Sequence, residues 1–258
     1  PKEVTSEVWN GFRWGIEGAE NLYKADKAHS VDRFDELLPH YLKGTEEIIF
    51  AVGKNPKVET VILETWSNQL QHSSRIGFAP KSIKSPSSYL NGMRLLKSDY
   101  EIERMREAVQ ISAEAHELVR KNLSQKNNER QVQGLIEGFF LENGARGPAY
   151  NSIVASGDNA CVLHYTSNNS ELKKGDLLLV DAGCSLSDYY NGDITRTFPI
   201  NGKFSGEQKA IYEIVLEAQK YSINNVVPGV STNYIHMQAV KVLVDGLKEI
   251  KLLAGDTE

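Results

Sequence analysis

The sequence has 258 residues, of which 40% are hydrophobic, 24% charged and 9% aromatic. That balance belongs to globular domains and excludes collagen-like, coiled-coil and disordered classes. Lys plus Arg number 29 against 34 Asp plus Glu, a formal net charge of −5, so no broad basic surface is on offer to a nucleic acid. The longest unbroken apolar run, Ile48 to Val52, falls far short of the about 20 residues a membrane helix needs. No charged segment followed by an apolar stretch opens the chain. These features predict a cytoplasmic protein with no membrane and no nucleic-acid partner. The two cysteines, Cys161 and Cys184, form no C-x-x-C pair and sit in apolar, strand-like surroundings. They are expected to be inert small hydrophobes.

Residues 1 to about 85 differ in texture from the rest. An aromatic opening, Trp9, Phe12 and Trp14, is expected to pack internally. A helix near Val31 to Leu42, a strand from Glu47 to Val52 and a helix around Val58 to Gln71 follow. From Pro80 to Gly92 the composition turns to Ser, Pro, Lys and Asn, which marks a connector and divides the chain into domains 1–85 and 86–258. Ser98 with Glu101 then makes a capping box, and Ile102, Met105, Val109, Ser112, His116 and Val119 share one helical face. This helix should end near Leu123. His116, alone on that face, reads as a buried structural residue.

Glu129 to Asn143 repeats the helical pattern through Val132, Leu135, Ile136, Phe139 and Phe140, and Gly144 supplies the left-handed stop. Asn151 to Ser156 and Ala160 to Tyr165, parted by a Gly-Asp-Asn turn, predict a hairpin. Leu177 to Val180 is a buried strand ending at Asp181, and Asp193 to Ile200 is a further strand. Ser205 with Gln208 caps a helix reaching about Val227, and a last helix spans about Thr232 to Leu253. Helices bracket consecutive strands with no strand-helix-strand alternation, so the class is α+β with a mostly antiparallel sheet.

The chemistry gathers at Asp181-Ala-Gly and Asp193-Ile-Thr-Arg-Thr-Phe-Pro. If the two strands form a hairpin with Asp181 opposite Asp193, the connection centres on Ser187. Directly opposed residues have Cβ atoms about 4.5–5.5 Å apart. Two carboxylates so close demand a raised pKa or a cation, and hard oxygen donors suit ions such as Mn²⁺ or Mg²⁺. Each Asp could instead form a turn beside its glycine. His164, at the end of Cys161-Val-Leu-His, could hold a substrate carbonyl or stabilise an oxyanion, or be a plain strand-end histidine. No nucleophile elbow, phosphate loop or dinucleotide fingerprint is present.

Three ordered blocks carry a resemblance. They are Gly147-Pro-Ala-Tyr-Asn-Ser-Ile-Val-Ala-Ser-Gly-Asp-Asn-Ala-Cys-Val-Leu-His-Tyr-Thr, Leu178-Leu-Val-Asp-Ala-Gly-Cys, and Gly192-Asp-Ile-Thr-Arg-Thr-Phe-Pro-Ile-Asn-Gly-Lys-Phe. Together they resemble the Xaa-Pro aminopeptidase (aminopeptidase P) branch of the pita-bread metallopeptidases, family M24. Glu7-Val-Trp-Asn-Gly-Phe-Arg-Trp-Gly15 is similar to the later part of that family's N-terminal domain. The resemblance implies a pita-bread (creatinase/aminopeptidase) fold, first half only, preceded by the C-terminal part of a smaller α/β N-terminal domain. It also implies a hydrolase holding two divalent ions, usually Mn²⁺, whose bridging hydroxide attacks the bond before a proline at the second position of a peptide. Asp181 and Asp193 then match metal ligands, His164 matches a histidine that holds the substrate carbonyl, and Tyr150 lines the pocket.

The family's ligand set has five members, and the remaining His and two Glu belong to a later segment. The chain is therefore expected to be an internal fragment, or one of two complementary pieces, inactive alone and binding metal weakly. A second chain could supply the rest, and family members are often homo-oligomers. Prolidase, which cuts Xaa-Pro dipeptides, and a non-catalytic pita-bread binding module are the rival readings.

Overall fold

The computed structural model describes residues 4–255, with α-helices and short strands in two compact units that meet in sequence at Lys97 and Ser98. In the first unit the helices are α1 (Val4–Asn10), α2 (Gly15–Asn21), α3 (Phe34–Tyr41), α4 (Pro56–Gln71), α5 (Ser73–Ile76) and α6 (Ser87–Leu95). Strands β1 (Glu47–Ile49) and β2 (Ser82–Lys84) pair in parallel. Helix α4 begins where Asn55 caps the Val58 N–H and Pro56 takes a first-turn place that needs no N–H. Its Trp66 indole donates to the Pro80 carbonyl at 2.7 Å.

Two expectations are corrected here. The Pro80–Gly92 stretch is not a bare connector, because β2 and α6 form within it, and the compact units divide after α6 instead of at residue 85. Trp9, Phe12 and Trp14 are exposed rather than internally packed, with Trp9 at 87%, although Phe12 and Trp14 meet edge to face.

The second unit comprises helices α7 (Asp99–Asn122), α8 (Glu129–Glu142), α9 (Gly206–Asn224) and α10 (Thr232–Glu249). Its strands are β3 (Gly147–Pro148), β4 (Ile153–Ser156), β5 (Leu177–Asp181), β6 (Cys184–Ser185) and β7 (Thr195–Pro199). Strands β4, β5 and β7 make an antiparallel sheet in that order, and β3 pairs antiparallel with β6. Capping boxes open α7 at Ser98/Glu101 and α9 at Ser205/Gln208, as the sequence predicts.

The core lies between the α7–α8 pair and β5, where Val119, Val132, Ile136, Phe140, Val154, Leu178 and Val180 are fully buried. On α7 the buried face is Ala108, Ile111, Ser112, Ala115, His116 and Val119. The first turns of the expected face stay open, since Ile102, Met105 and Val109 are at least 40% exposed. The small residues at 108, 112 and 115 let backbone approach the helix closely, which the larger ones would prevent.

The hairpin expected from residues 151–165 does not form. Strand β4 pairs with β5, and residues Gly157–Cys161 instead wind into a 3-10 turn followed by an exposed turn through His164. Side-chain hydrogen bonds to a buried carboxylate hold that loop, and they outcompete strand pairing for its polar groups. Cys161 is consequently exposed, against expectation, while Cys184 is buried in β6.

Candidate functional site

Strands β5, β6 and β7 form one hairpin that carries both predicted aspartates. Its register differs from the expected one by two residues: Asp181 faces Thr195, Ser185 bridges to Asn191, and the turn closes from Leu186 to Tyr190 around Asp188. A slip of one residue would turn every side chain to the other face of the sheet, whereas a slip of two keeps the face. The carboxylates therefore still point the same way, as diagonal neighbours instead of directly opposed ones.

Helix α7 seats this hairpin. Ser112 Oγ donates to the Ala108 carbonyl at 2.7 Å and accepts the Cys184 N–H at 3.0 Å, and His116 Nε2 bonds the Ala182 carbonyl at 3.0 Å. His116 is 3% exposed and burial pushes its imidazole down, so it is neutral and donates from Nε2. A Cβ on Gly192 would overlap Ser112 Oγ and come within 2.9 Å of the Ala108 carbonyl oxygen. A Cβ on Gly183 would overlap the Gly192 carbonyl. Glycine at both positions brings the two Asp-bearing segments into backbone contact with each other and with α7. At the far end, Arg104 grips Asp188 through Nε at 2.7 Å and Nη2 at 3.3 Å, and Tyr100 adds a 2.9 Å bond.

Tyr150 is brought to the same place by β3, whose chain continues alongside the hairpin through an Ala149 N–H to Gly183 carbonyl bond of 2.8 Å. Its Oη lies 2.5 Å from Asp181 Oδ1 and 3.1 Å from Asp193 Oδ1. Burial first, and then donation to the Asp181 carboxylate, raises the phenol well above its ordinary pKa. A phenol carries one proton, so it can satisfy only one of the two acceptors fully. Through this one hydroxyl the two carboxylates converge on a single point.

His164 stands apart from this trio. It is exposed, and among the described residues no hydrogen bond or ion pair joins it to Tyr150, Asp181 or Asp193. Glu129, which the sequence marks only as the start of a helix, is fully buried, and the loop around His164 is folded about it. No spacing in the sequence links it to Asn159, Tyr165 and Ser170, the distant residues whose donors meet it.

Asp181 and Asp193 offer hard carboxylate oxygens converging on one point with a proton donor between them, which fits a share of a divalent-cation site. Among the described residues no group of three or more His, Cys, Asp or Glu side chains is placed to hold a metal. No helix of the described residues is long and apolar enough to cross a membrane.

Known proteins match along the whole chain. It is 39% identical to a Xaa-Pro aminopeptidase of Haemophilus influenzae over 258 residues, covering all of this chain and 57% of that protein. It superimposes on proline aminopeptidase P II from Yersinia pestis with a TM-score of 0.89 at 39% identity, over 99% of this chain and 58% of that one. A zinc-substituted Escherichia coli aminopeptidase P in complex with product gives 0.90 at 36% identity, over 98% and 57%. The chain thus spans a little over half the length of these relatives, and it has the pita-bread fold they share. The family model for the aminopeptidase P N-terminal domain matches residues 1–50. The model of metallopeptidase family M24 matches residues 103–255, the stretch that holds Tyr150, His164, Asp181 and Asp193, and the chain belongs to that family.

Proposed function

We propose that the protein carrying this chain is a metal-dependent aminopeptidase that removes an N-terminal residue preceding proline. The observation that carries the reading is the convergence of Asp181 and Asp193 on the Tyr150 hydroxyl, within a family M24 chain whose relatives are named Xaa-Pro aminopeptidases. Asp181 and Asp193 are its contribution to a site for two divalent ions, Mn²⁺ being the favoured one. Such ions, when bound, polarise the scissile carbonyl and make water acidic enough to act as a nucleophile near neutral pH.

The chain's own residues do the positioning. Asp181 and Asp193 hold their oxygens on one face of the hairpin. Tyr150 keeps its proton, because its raised pKa leaves it neutral, and aims that proton at Asp181 Oδ1. This fixes the rotamer of one carboxylate and leaves the Asp193 oxygen without a proton of its own. His164, on its exposed turn, is the residue free to meet a peptide. Its imidazole N–H would hold the carbonyl oxygen of the substrate and stabilise the negative charge that grows there. A cytoplasmic enzyme, assembled as a homo-oligomer, completes the reading.

The test uses the full-length protein with a Xaa-Pro-Xaa peptide. Asp193→Ala should abolish metal-dependent release of the first residue and the uptake of two ions seen by calorimetry. Undiminished turnover in that variant would refute the assignment. Faster cleavage of a Xaa-Pro dipeptide than of the longer peptide would favour a prolidase, and wild-type protein that binds no metal would favour a binding module.

A further inference from the structure

Glu129 is the first residue of α8 and is 0% exposed, yet among the described residues no Lys, Arg or His pairs with it in an ion pair. Its charge is met by neutral donors. Oε1 accepts from the Ser156 N–H at 2.8 Å, the Ser156 hydroxyl at 2.8 Å and the Asn159 amide at 3.1 Å. Oε2 accepts from the Tyr165 hydroxyl at 2.8 Å and the Ser170 N–H at 2.9 Å. Burial alone pushes this carboxyl up. The bonds from Ser170, Ser156 and Asn159 outweigh it and hold the group below its ordinary range, so it is ionised. The helix N-terminus favours the same charge.

All the donors lie on one loop, from Ser156 where β4 ends, past the 3-10 turn, to Ser170. His164 sits inside this span, next to Tyr165. The start, middle and end of the loop are thus gathered onto a single carboxylate, and Glu129's own N–H returns a bond to the Ser170 carbonyl at 3.0 Å. A buried, unpaired charge is a costly means of closing a loop, and an apolar plug would serve stability as well. What a fully satisfied five-donor network adds is a single geometry.

We propose that Glu129 is a positioning residue for His164, its carboxylate folding the 156–170 loop so that the imidazole is presented in one place. The proposal rests on the reading that His164 meets the substrate, and its test separates the two. In the full-length, metal-loaded protein, Glu129→Gln keeps the size of the side chain but turns an amide N–H against donors. Tyr165→Phe deletes one of the five bonds and leaves the others to keep the fold. Each is made alone and together with His164→Ala.

The expected result is a kcat lower by about 100-fold for Glu129→Gln, the scale of loss when a group is misplaced by about 1 Å, and a smaller loss for Tyr165→Phe. On the His164→Ala background neither variant should lower kcat further. Amide exchange over 157–170 should quicken and the His164 Cε1 resonance should shift, with metal content unchanged. Losses that multiply on the His164→Ala background, or variants with unaltered kcat, would overturn the proposal. If wild-type protein does not cleave the peptide, the reaction assignment fails. The resonance and exchange data then decide the loop's role: an unshifted His164 signal and unchanged protection refute it, and a shift with faster exchange supports it.

Discussion

At the scale of the residue, Tyr150 shows how one proton is divided between two carboxylates. The family resemblance alone suggests it for the pocket lining, and its part as the shared donor depends on a contact between β3 and the hairpin that no spacing rule reveals. Its folded pKa is raised by burial and by Asp181, so native protein keeps this proton at a pH where the unfolded chain releases it. Below the ordinary tyrosine value of about 10 the contribution to stability is fully present, and it is lost as pH climbs above that value. Urea midpoints at increasing pH should therefore fall less steeply above about pH 10 in Tyr150→Phe than in wild-type protein. Parallel curves would show that the phenol is not held this way. Glu129 was illegible for a related reason: a carboxylate at a helix start is ordinarily a solvated dipole partner, and only the folded loop shows five donors turned toward it.

At the scale of the element, the α7–hairpin seat decides where the aspartates stand. Helix α7, helix α8 and the strand at 177–181 could be read from capping boxes and periodicity because those signals are local. The hairpin register could not, since the turn at Leu186–Tyr190 is held by Arg104 and Tyr100, residues 84 and 88 positions away from Asp188. The false 151–165 hairpin failed likewise: apolar residues such as Val162 and Leu163 suggest a strand, but the loop's polar groups are claimed by Glu129. Gly192→Ala would press a methyl group on Ser112 and the Ala108 carbonyl, and backbone cannot yield as a side chain can. The expected cost is about 2–3 kcal/mol or more, read from denaturant midpoints. Gly183→Ala should be at least as damaging, because its obstacle is backbone alone. A loss under 0.5 kcal/mol at both sites would mean the contact is looser than it stands here.

At the scale of the whole molecule, the core of the second unit is built from residues between Ala108 and Ile200. The first unit buries few side chains, Ile48 and Ile62 among them. Residues 98–258 expressed alone should accordingly unfold in one cooperative transition followed by circular dichroism, and residues 1–97 should not. Within the second unit the α9–α10 pair buries only Ala218 among the described residues and leaves Val215, Ile223 and Met237 more than half exposed. The α+β class was legible because it follows from element order. The junction's position was not, since a Ser- and Pro-rich stretch proved able to form β2 and α6. Two ties of unlike physics secure the site's surroundings. The hairpin tip is clasped by Arg104 and Asp188, a half-buried ion pair whose side chains are 23% and 29% exposed, while the His164 loop is closed by neutral donors around a fully buried charge. Mobile ions screen the first in part and scarcely reach the second. Ionic strength therefore acts unequally on this protein, slackening the hairpin tip more than the histidine loop.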